Sequence, residues 1–324
     1  MVFVLFILSA LITVLAAIRL SRYADTLSKK SMLGASLIGA WLLAGATSLP
    51  ELTTSVAAIA VNTPDLAVGN VIGSNLFNIL IIAFFDIYYR KKRVFVSVSN
   101  AYKTSAVAGA VLSLVTTAIL IWPLEYQLSI ISVQSIAILI TYSAAIYMLQ
   151  RRQPNLSADE SELPPFPVST RRAVYGFTLA ALLILLAGSI LTYTADEIAL
   201  TTGLGASFVG SFFVAASTSL PEAVAVLIAL QLNNYNLALA SILGSNLLNL
   251  LFLVFIDALY GPTALYPVLS AAHIVTAVAV TLLSCGLLAR MMYAKKTMRS
   301  YASWPSILLI LLYFICTAIV YYFS

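Results

Sequence analysis

Charge is scarce in this chain. Lys, Arg, Asp and Glu make up 9% of its 324 residues, where a soluble domain carries about a quarter. Histidine occurs once and cysteine twice. So little charge excludes an ordinary soluble fold, and so little Cys and His excludes a disulfide framework or a soft-metal centre. Cys285 and Cys316 stand inside apolar runs, where they are expected to pack, and His273 is expected to be packed or interfacial. The sequence shows no nucleophile–base pair and no nucleotide-binding loop, so it is not expected to be an enzyme. The net charge of +5 is spread over several loops, which points to a membrane face and away from nucleic acid.

What is present in excess is apolar. Hydrophobic residues make up 61% and the mean hydropathy is +1.01, which indicates an all-α polytopic membrane protein. Ten apolar segments are expected as transmembrane helices: 2–20, 33–61, 66–88, 103–121, 128–149, 173–193, 203–230, 237–259, 267–289 and 304–323. The first run is read as a membrane helix and not a signal peptide, because Arg19 and Arg22 follow the apolar stretch instead of preceding it. The longest loop, 150–172, holds Pro154, Pro164, Pro165 and Pro167 with Asp159, Glu160 and Glu162. It reads as a linker between a first half, 1–149, and a second half, 173–324.

The basic residues give an orientation. All 17 Lys and Arg fall after segment 1 or between segments 3 and 4, 5 and 6, or 9 and 10. Those loops are therefore expected in the cytoplasm and both chain ends outside. The opposite loops carry only Asp65, Glu125, Asp196 and Glu197, and Lys or Arg falls within the segments so drawn only at their cytoplasmic ends, at Arg19 and Lys103.

Within this apolar background one polar motif occurs twice. Residues 44–78 contain ATSLPE (46–51) and GNVIGSNLFN (69–78), and residues 215–249 contain STSLPE (217–222) and SILGSNLLN (241–249), each paired position 171 residues apart. The match extends to LGASLIG at 33–39 against LGASFVG at 204–210, and to Asp86 against Asp257. Five helices per half invert the second copy, so the expected fold is two inverted five-helix repeats sharing a site near the bilayer midplane.

Glu51 and Glu222 head that site. A carboxylate deep in a membrane segment costs at least ~2.5 kcal/mol, so each must be protonated, meet water or hold a cation. Pro50 and Pro221 each deprive a carbonyl four residues earlier of its donor. The turn before each Glu is expected to unwind, offering the Ala44 and Ala215 carbonyls as ligands. Thr47, Ser48, Thr218 and Ser219 add hydroxyls. Such side chains ordinarily bond back to their own helix, but beside Glu and Pro in both copies they read as ligands. Ser74 with Asn78, and Ser245 with Asn249, lie four apart on one helix face and can point at the Glu helices. Asn75 and Asn246 project from another side and are expected to bond between helices. Gly69, Gly73 and Gly244 suit close helix approach. This set of oxygens suits Na⁺ or Ca²⁺. Two Glu carry −2, which one Ca²⁺ balances and which Na⁺ ions or protons balance equally, so competition at one site would make an exchanger.

On these motifs the chain resembles the sodium/calcium exchanger family, within the calcium/cation antiporters. The resemblance implies electrogenic Na⁺/Ca²⁺ exchange, with ions held by the two Glu, the Thr-Ser pairs, Ser74, Asn78, Ser245, Asn249 and backbone carbonyls. Na⁺ and Ca²⁺ are then substrates, with no cofactor, no nucleic acid and no obligatory protein partner expected besides the lipid bilayer. Three departures stand out. Ala46 and Ser217 replace the family's usual Gly. Asn249 occupies a position that is Asp in many prokaryotic and potassium-dependent members, so the site has no third acid. The linker is too short for the calcium-binding insert of animal members. A prokaryotic plasma membrane is expected. Exchange of H⁺ for Ca²⁺ is the alternative, because the same carboxylates serve both.

Overall fold

Two long helices that carry the motifs form the centre of the protein. We describe the fold from a computed structural model, over residues 1–30, 45–92, 94–96, 101–152, 168–261, 263–293 and 304–323. In chain order the helices are α1 (Val2–Lys30), α2 (Leu49–Ala60), α3 (Pro64–Tyr88), α4 (Ala101–Ile121), α5 (Val133–Arg152), α6 (Thr170–Thr202), α7 (206–218), α8 (Leu220–Gln231), α9 (Tyr235–Tyr260), α10 (Ala272–Tyr293) and α11 (Trp304–Phe323). A two-residue hairpin, Gln127–Leu128 with Ile131–Ser132, precedes α5.

Eight of these helices are long and apolar enough to cross a membrane, and α7 with α8, bent by 41°, makes a ninth candidate. The protein is thus an integral, multi-pass membrane protein. The expected span 33–61 is described only from residue 45, so Ala44 and the LGASLIG stretch lie outside the described residues. Most of the linker, 153–167, lies outside them too.

The helix limits recur with the period of the sequence motifs. Leu49 and Leu220, Pro64 and Tyr235, Ala101 and Ala272, and Val133 and Trp304 begin equivalent helices, each pair 171 residues apart. The turns repeat as well. Asn62 (φ 59°) and Asn233 (φ 58°) are both left-handed, a conformation that asparagine tolerates better than most residues. They close equivalent tight turns, Thr63 N–H bonding Ala58 O at 2.9 Å and Asn234 N–H bonding Ala229 O at 2.8 Å. Each Glu-bearing helix is thereby folded back against the Ser/Asn-bearing helix that follows.

Almost the whole of α3 and most of α9 are buried, as expected of helices that are apolar on every side. The outer helices bury one face. On α1 and α6, Phe3, Ile7, Leu11, Leu179, Leu182 and Leu186 are exposed, a surface suited to lipid. Close approach at the centre depends on glycine. A Cβ at Gly73 would fall inside the Ser211 carbonyl, one at Gly69 would lie 2.9 Å from Ser207 O, and one at Gly210 would lie 2.6 Å from Leu66 O. The facing stretch, Val209–Val214, is wound as a π-helix. Gly244 has no neighbour within 4 Å among the described residues.

Several expectations are corrected here. Helix α6 runs to Thr202 and stops at left-handed Gly203 (φ 73°), so Asp196 and Glu197 are helical and not in a loop. The segment expected from 128 starts as a hairpin, and its helix begins at Val133. Helix α10 continues past residue 289 and buries Arg290, which pairs with Asp86 at 3.3 Å, so a basic side chain does lie within a span. Ser306 also donates to Asp86. The repeat partner Asp257 instead accepts the Ser132 N–H at 2.7 Å. His273 is buried, its Nε2 2.9 Å from Asp65 Oδ1. Cys316 is buried, whereas Cys285 is exposed on α10.

The glycine contacts give a direct test. Gly73→Ala drives a Cβ into a backbone that cannot give way cheaply, so it should cost ~1–3 kcal/mol or more and lower the melting temperature in detergent by several degrees. Gly109→Ala, with no neighbour within 4 Å among the described residues, should leave the melting temperature unchanged or slightly raised.

Candidate functional site

Proline sets where the two glutamates sit. In α2 and α8 it occupies the second helical position, where a missing N–H costs little, and Glu51 and Glu222 follow in the first turn. A carboxylate at a helix N-terminus meets the positive end of the helix dipole. Both side chains are fully buried. The residue before each helix has nearly the same backbone in both copies, φ −93°, ψ 9° at Ser48 and φ −88°, ψ 2° at Ser219. The expected unwound turn is therefore a sharp bend at a single residue. The Ala215 carbonyl is not freed by it, since it accepts the Ser219 N–H at 3.0 Å. The carbonyl that Pro221 deprives is that of Ser217.

Hydroxyls tie the two copies together. Ser219 donates to Glu51 Oε1 at 3.1 Å, and Ser245 to Glu222 Oε1 at 3.2 Å. Ser48 and Ser245 share a hydrogen bond of 3.0 Å. Thr218 donates to Asn70 Oδ1 at 3.1 Å. Thr47 is buried next to Ser48. The second oxygens, Glu51 Oε2 and Glu222 Oε2, are buried without a hydrogen-bond partner, as are Ser74 Oγ, Asn78 Oδ1 and Asn249 Oδ1. A buried, unsatisfied polar atom costs about 1–3 kcal/mol. A hard cation is the kind of partner that such oxygens accept. Among the described residues neither Glu forms an ion pair; the pairs found are Asp65–His273 and Asp86–Arg290.

The asparagines do more than the sequence indicated. Asn78 donates to Asn246 Oδ1 at 2.9 Å, Asn249 donates to Asn75 Oδ1 at 3.1 Å, and Asn75 donates to the Asn246 carbonyl at 3.0 Å. Asn75 and Asn246 do bond between helices, as expected, and their partners are the two asparagines of the site.

Asn70 went unassigned from sequence. Its Nδ2 lies 3.0 Å from the Glu51 carbonyl, 2.7 Å from Thr54 Oγ1 and 2.9 Å from Ser55 Oγ. Two N–H groups serve two of these acceptors at a time. Asn70 so fixes α2, which carries Glu51, to α3 and, through Thr218, to α7. Its repeat partner is Ser241, and a comparison of the two copies marks only what both share. Its position inside an apolar helix was the signal available.

These residues assemble from both copies of the motif into one buried oxygen-rich centre, and comparison with known proteins agrees with it. The sodium/calcium exchanger protein family matches residues 1–150 and 172–322. The chain belongs to that family. Its members are secondary transporters of the calcium/cation antiporter kind, not enzymes. The putative antiporter CaxA of Alkalimonas amylolytica is 26% identical over 251 residues, 74% of each chain. The crystal structure of the H⁺/Ca²⁺ exchanger CAX superposes with a TM-score of 0.70 at 14% identity, covering 99% of this chain and 86% of that one. The sodium-calcium exchanger NCX_Mj superposes with a TM-score of 0.62 at 22% identity, covering 98% and 99%. At such identities the two structures share the fold.

Asn70→Ala removes the donor and acceptor that join three helices. It should cost about 1–3 kcal/mol, read as a lower melting temperature of the purified protein. Ser241→Ala at the equivalent position should change it little.

Proposed function

We propose that this protein exchanges Na⁺ for Ca²⁺ across a membrane by alternating access to the centre between α2, α3, α7, α8 and α9. The observation that carries this is the pair Glu51 and Glu222, fully buried, each with one oxygen free and one held by a serine hydroxyl. Their joint charge of −2 is balanced by one Ca²⁺ or by monovalent ions, and the two fillings exclude each other. Ligands are Glu51, Glu222, Ser74, Asn78 and Asn249, with Thr47, Ser48, Thr218, Ser219 and Ser245 completing the hydroxyl set. Membership of the exchanger family supports the reading.

The same proposal places ten spans in two inverted halves, 1–149 and 173–324, joined by a cytoplasmic linker at 150–172, with both ends outside. The clustering of basic residues supports that orientation. A prokaryotic plasma membrane is the proposed location, with Na⁺, Ca²⁺ and lipid as the only partners.

A second reading, H⁺/Ca²⁺ exchange, is favoured by one feature. Each Glu keeps a single unpartnered oxygen, which can take one proton, so two protons would discharge the pair. Proteoliposomes separate the two. Under the Na⁺ reading, an outward Na⁺ gradient at fixed pH drives Ca²⁺ uptake, and a pH gradient without Na⁺ does not; the reverse result overturns it. Glu51→Gln and Glu222→Gln should each abolish Ca²⁺ uptake while the purified variants still fold, since each loses half of the charge that binds the ion. Retained uptake in either variant would remove that Glu from the site.

A further inference from the structure

A carboxamide is nearly the same shape either way round, yet its two ends are opposite in character. The oxygen attracts a cation, and the NH₂ repels one and attracts carboxylate. Asn78 and Asn249 are buried one helical turn from Ser74 and Ser245, and Ser245 bonds Glu222, so which end they show decides what the centre holds. We infer that Asn75 and Asn246 are positioning residues that turn the oxygens of Asn249 and Asn78 toward the cation. The inference rests on the function proposed above.

The bonds are crossed and reciprocal. Asn75 on α3 receives the Nδ2 of Asn249 on α9, and Asn246 on α9 receives the Nδ2 of Asn78 on α3. The two bonds join equivalent positions, since 75 and 246, like 78 and 249, lie 171 apart. The repeated bond is therefore a property of the motif and not of one helix. Asn78, Asn249 and Asn75 are fully buried and Asn246 is 6% exposed, so water does not compete for the donors. With both Nδ2 atoms so engaged, the atoms left unpartnered are Asn78 Oδ1 and Asn249 Oδ1. They are unpartnered together with Glu51 Oε2, Glu222 Oε2 and Ser74 Oγ.

One of the receiving asparagines is itself held. Asn75 can offer Oδ1 to Asn249 because its own Nδ2 is spent on the Asn246 carbonyl. Asn246 borders a cavity of about 10 Å³ lined by Ser113 and Ser284, room for about one water. Partners that orient a metal ligand typically change ion affinity 10–100-fold when removed.

The test is a double-mutant cycle read from calcium-45 uptake by proteoliposomes. Asn75→Ala should raise the apparent KM for Ca²⁺ about tenfold or more with the maximal rate per folded transporter little changed. Asn249→Ala should also raise KM, and adding Asn75→Ala to it should bring no further rise, because residue 249 is the ligand whose side chain residue 75 bonds. Asn246→Ala with Asn78→Ala forms the twin cycle and carries the test if the first pair does not fold. Multiplying effects in the double variant, or a loss of maximal rate with KM unmoved, overturns the inference. Wild-type protein that takes up no Ca²⁺ overturns the proposed function instead. The cycle is then read from protection of purified protein against heat by Na⁺ or Ca²⁺, with the same non-additivity expected.

Discussion

Glu51 and Glu222 lie wholly inside a protein whose outer surface is built for lipid. Two carboxyl groups in such a place repel each other and have lost water, so their oxygens must find donors or cations nearby. Much of the local architecture answers that need. Proline stands in the first turn of each helix, one residue before its Glu, which brings the carboxyl to the positive end of the helix dipole. Ser219 and Ser245 supply one donor to each. What they leave over is a set of buried oxygens without a hydrogen-bond partner, Glu51 Oε2 and Glu222 Oε2 among them.

The set exists only because the surrounding helices approach closely. Gly69 and Gly73 of α3 lie against the backbone of 207–211, and Gly210 lies against Leu66. A side chain at any of these would push α7 off α3 and carry Thr218 away from Asn70. The π-helical turn at Val209–Val214 belongs to the same contact, and such turns frequently occur where function requires local rearrangement of a helix. Packing and polar chemistry are thus coupled through the same few residues.

Much of the site was legible in the sequence because it is written twice. Glu, Pro, Ser and Asn recur at one fixed spacing, and each is costly in a membrane unless it has work there. Residues without a twin were harder to see. Asn70 has Ser241 as its partner, and its bonds to Thr54 and Ser55 are made by hydroxyls that the second copy replaces with Ala225 and Val226. Arg290 was placed in a loop because hydropathy falls at the first charge, while the helix continues to bury it against Asp86. Asp196 and Glu197 were placed outside α6 for the same reason, although the helix stops only at Gly203. Local sequence marks where apolar character ends, whereas the backbone ends where a cap or a left-handed residue stops it.

The serines that hold the two carboxyls come from different places. Glu51 is held by Ser219, from the other copy of the motif, and Glu222 by Ser245, from the helix paired with its own. If the two copies drew apart, Glu51 would lose its donor at once, while Glu222 would keep its own and give up only the link from Ser245 to Ser48. A centre that looks symmetric in its chemistry is lopsided in its mechanics: one carboxyl senses the seam between the copies, and the other senses mainly its own hairpin.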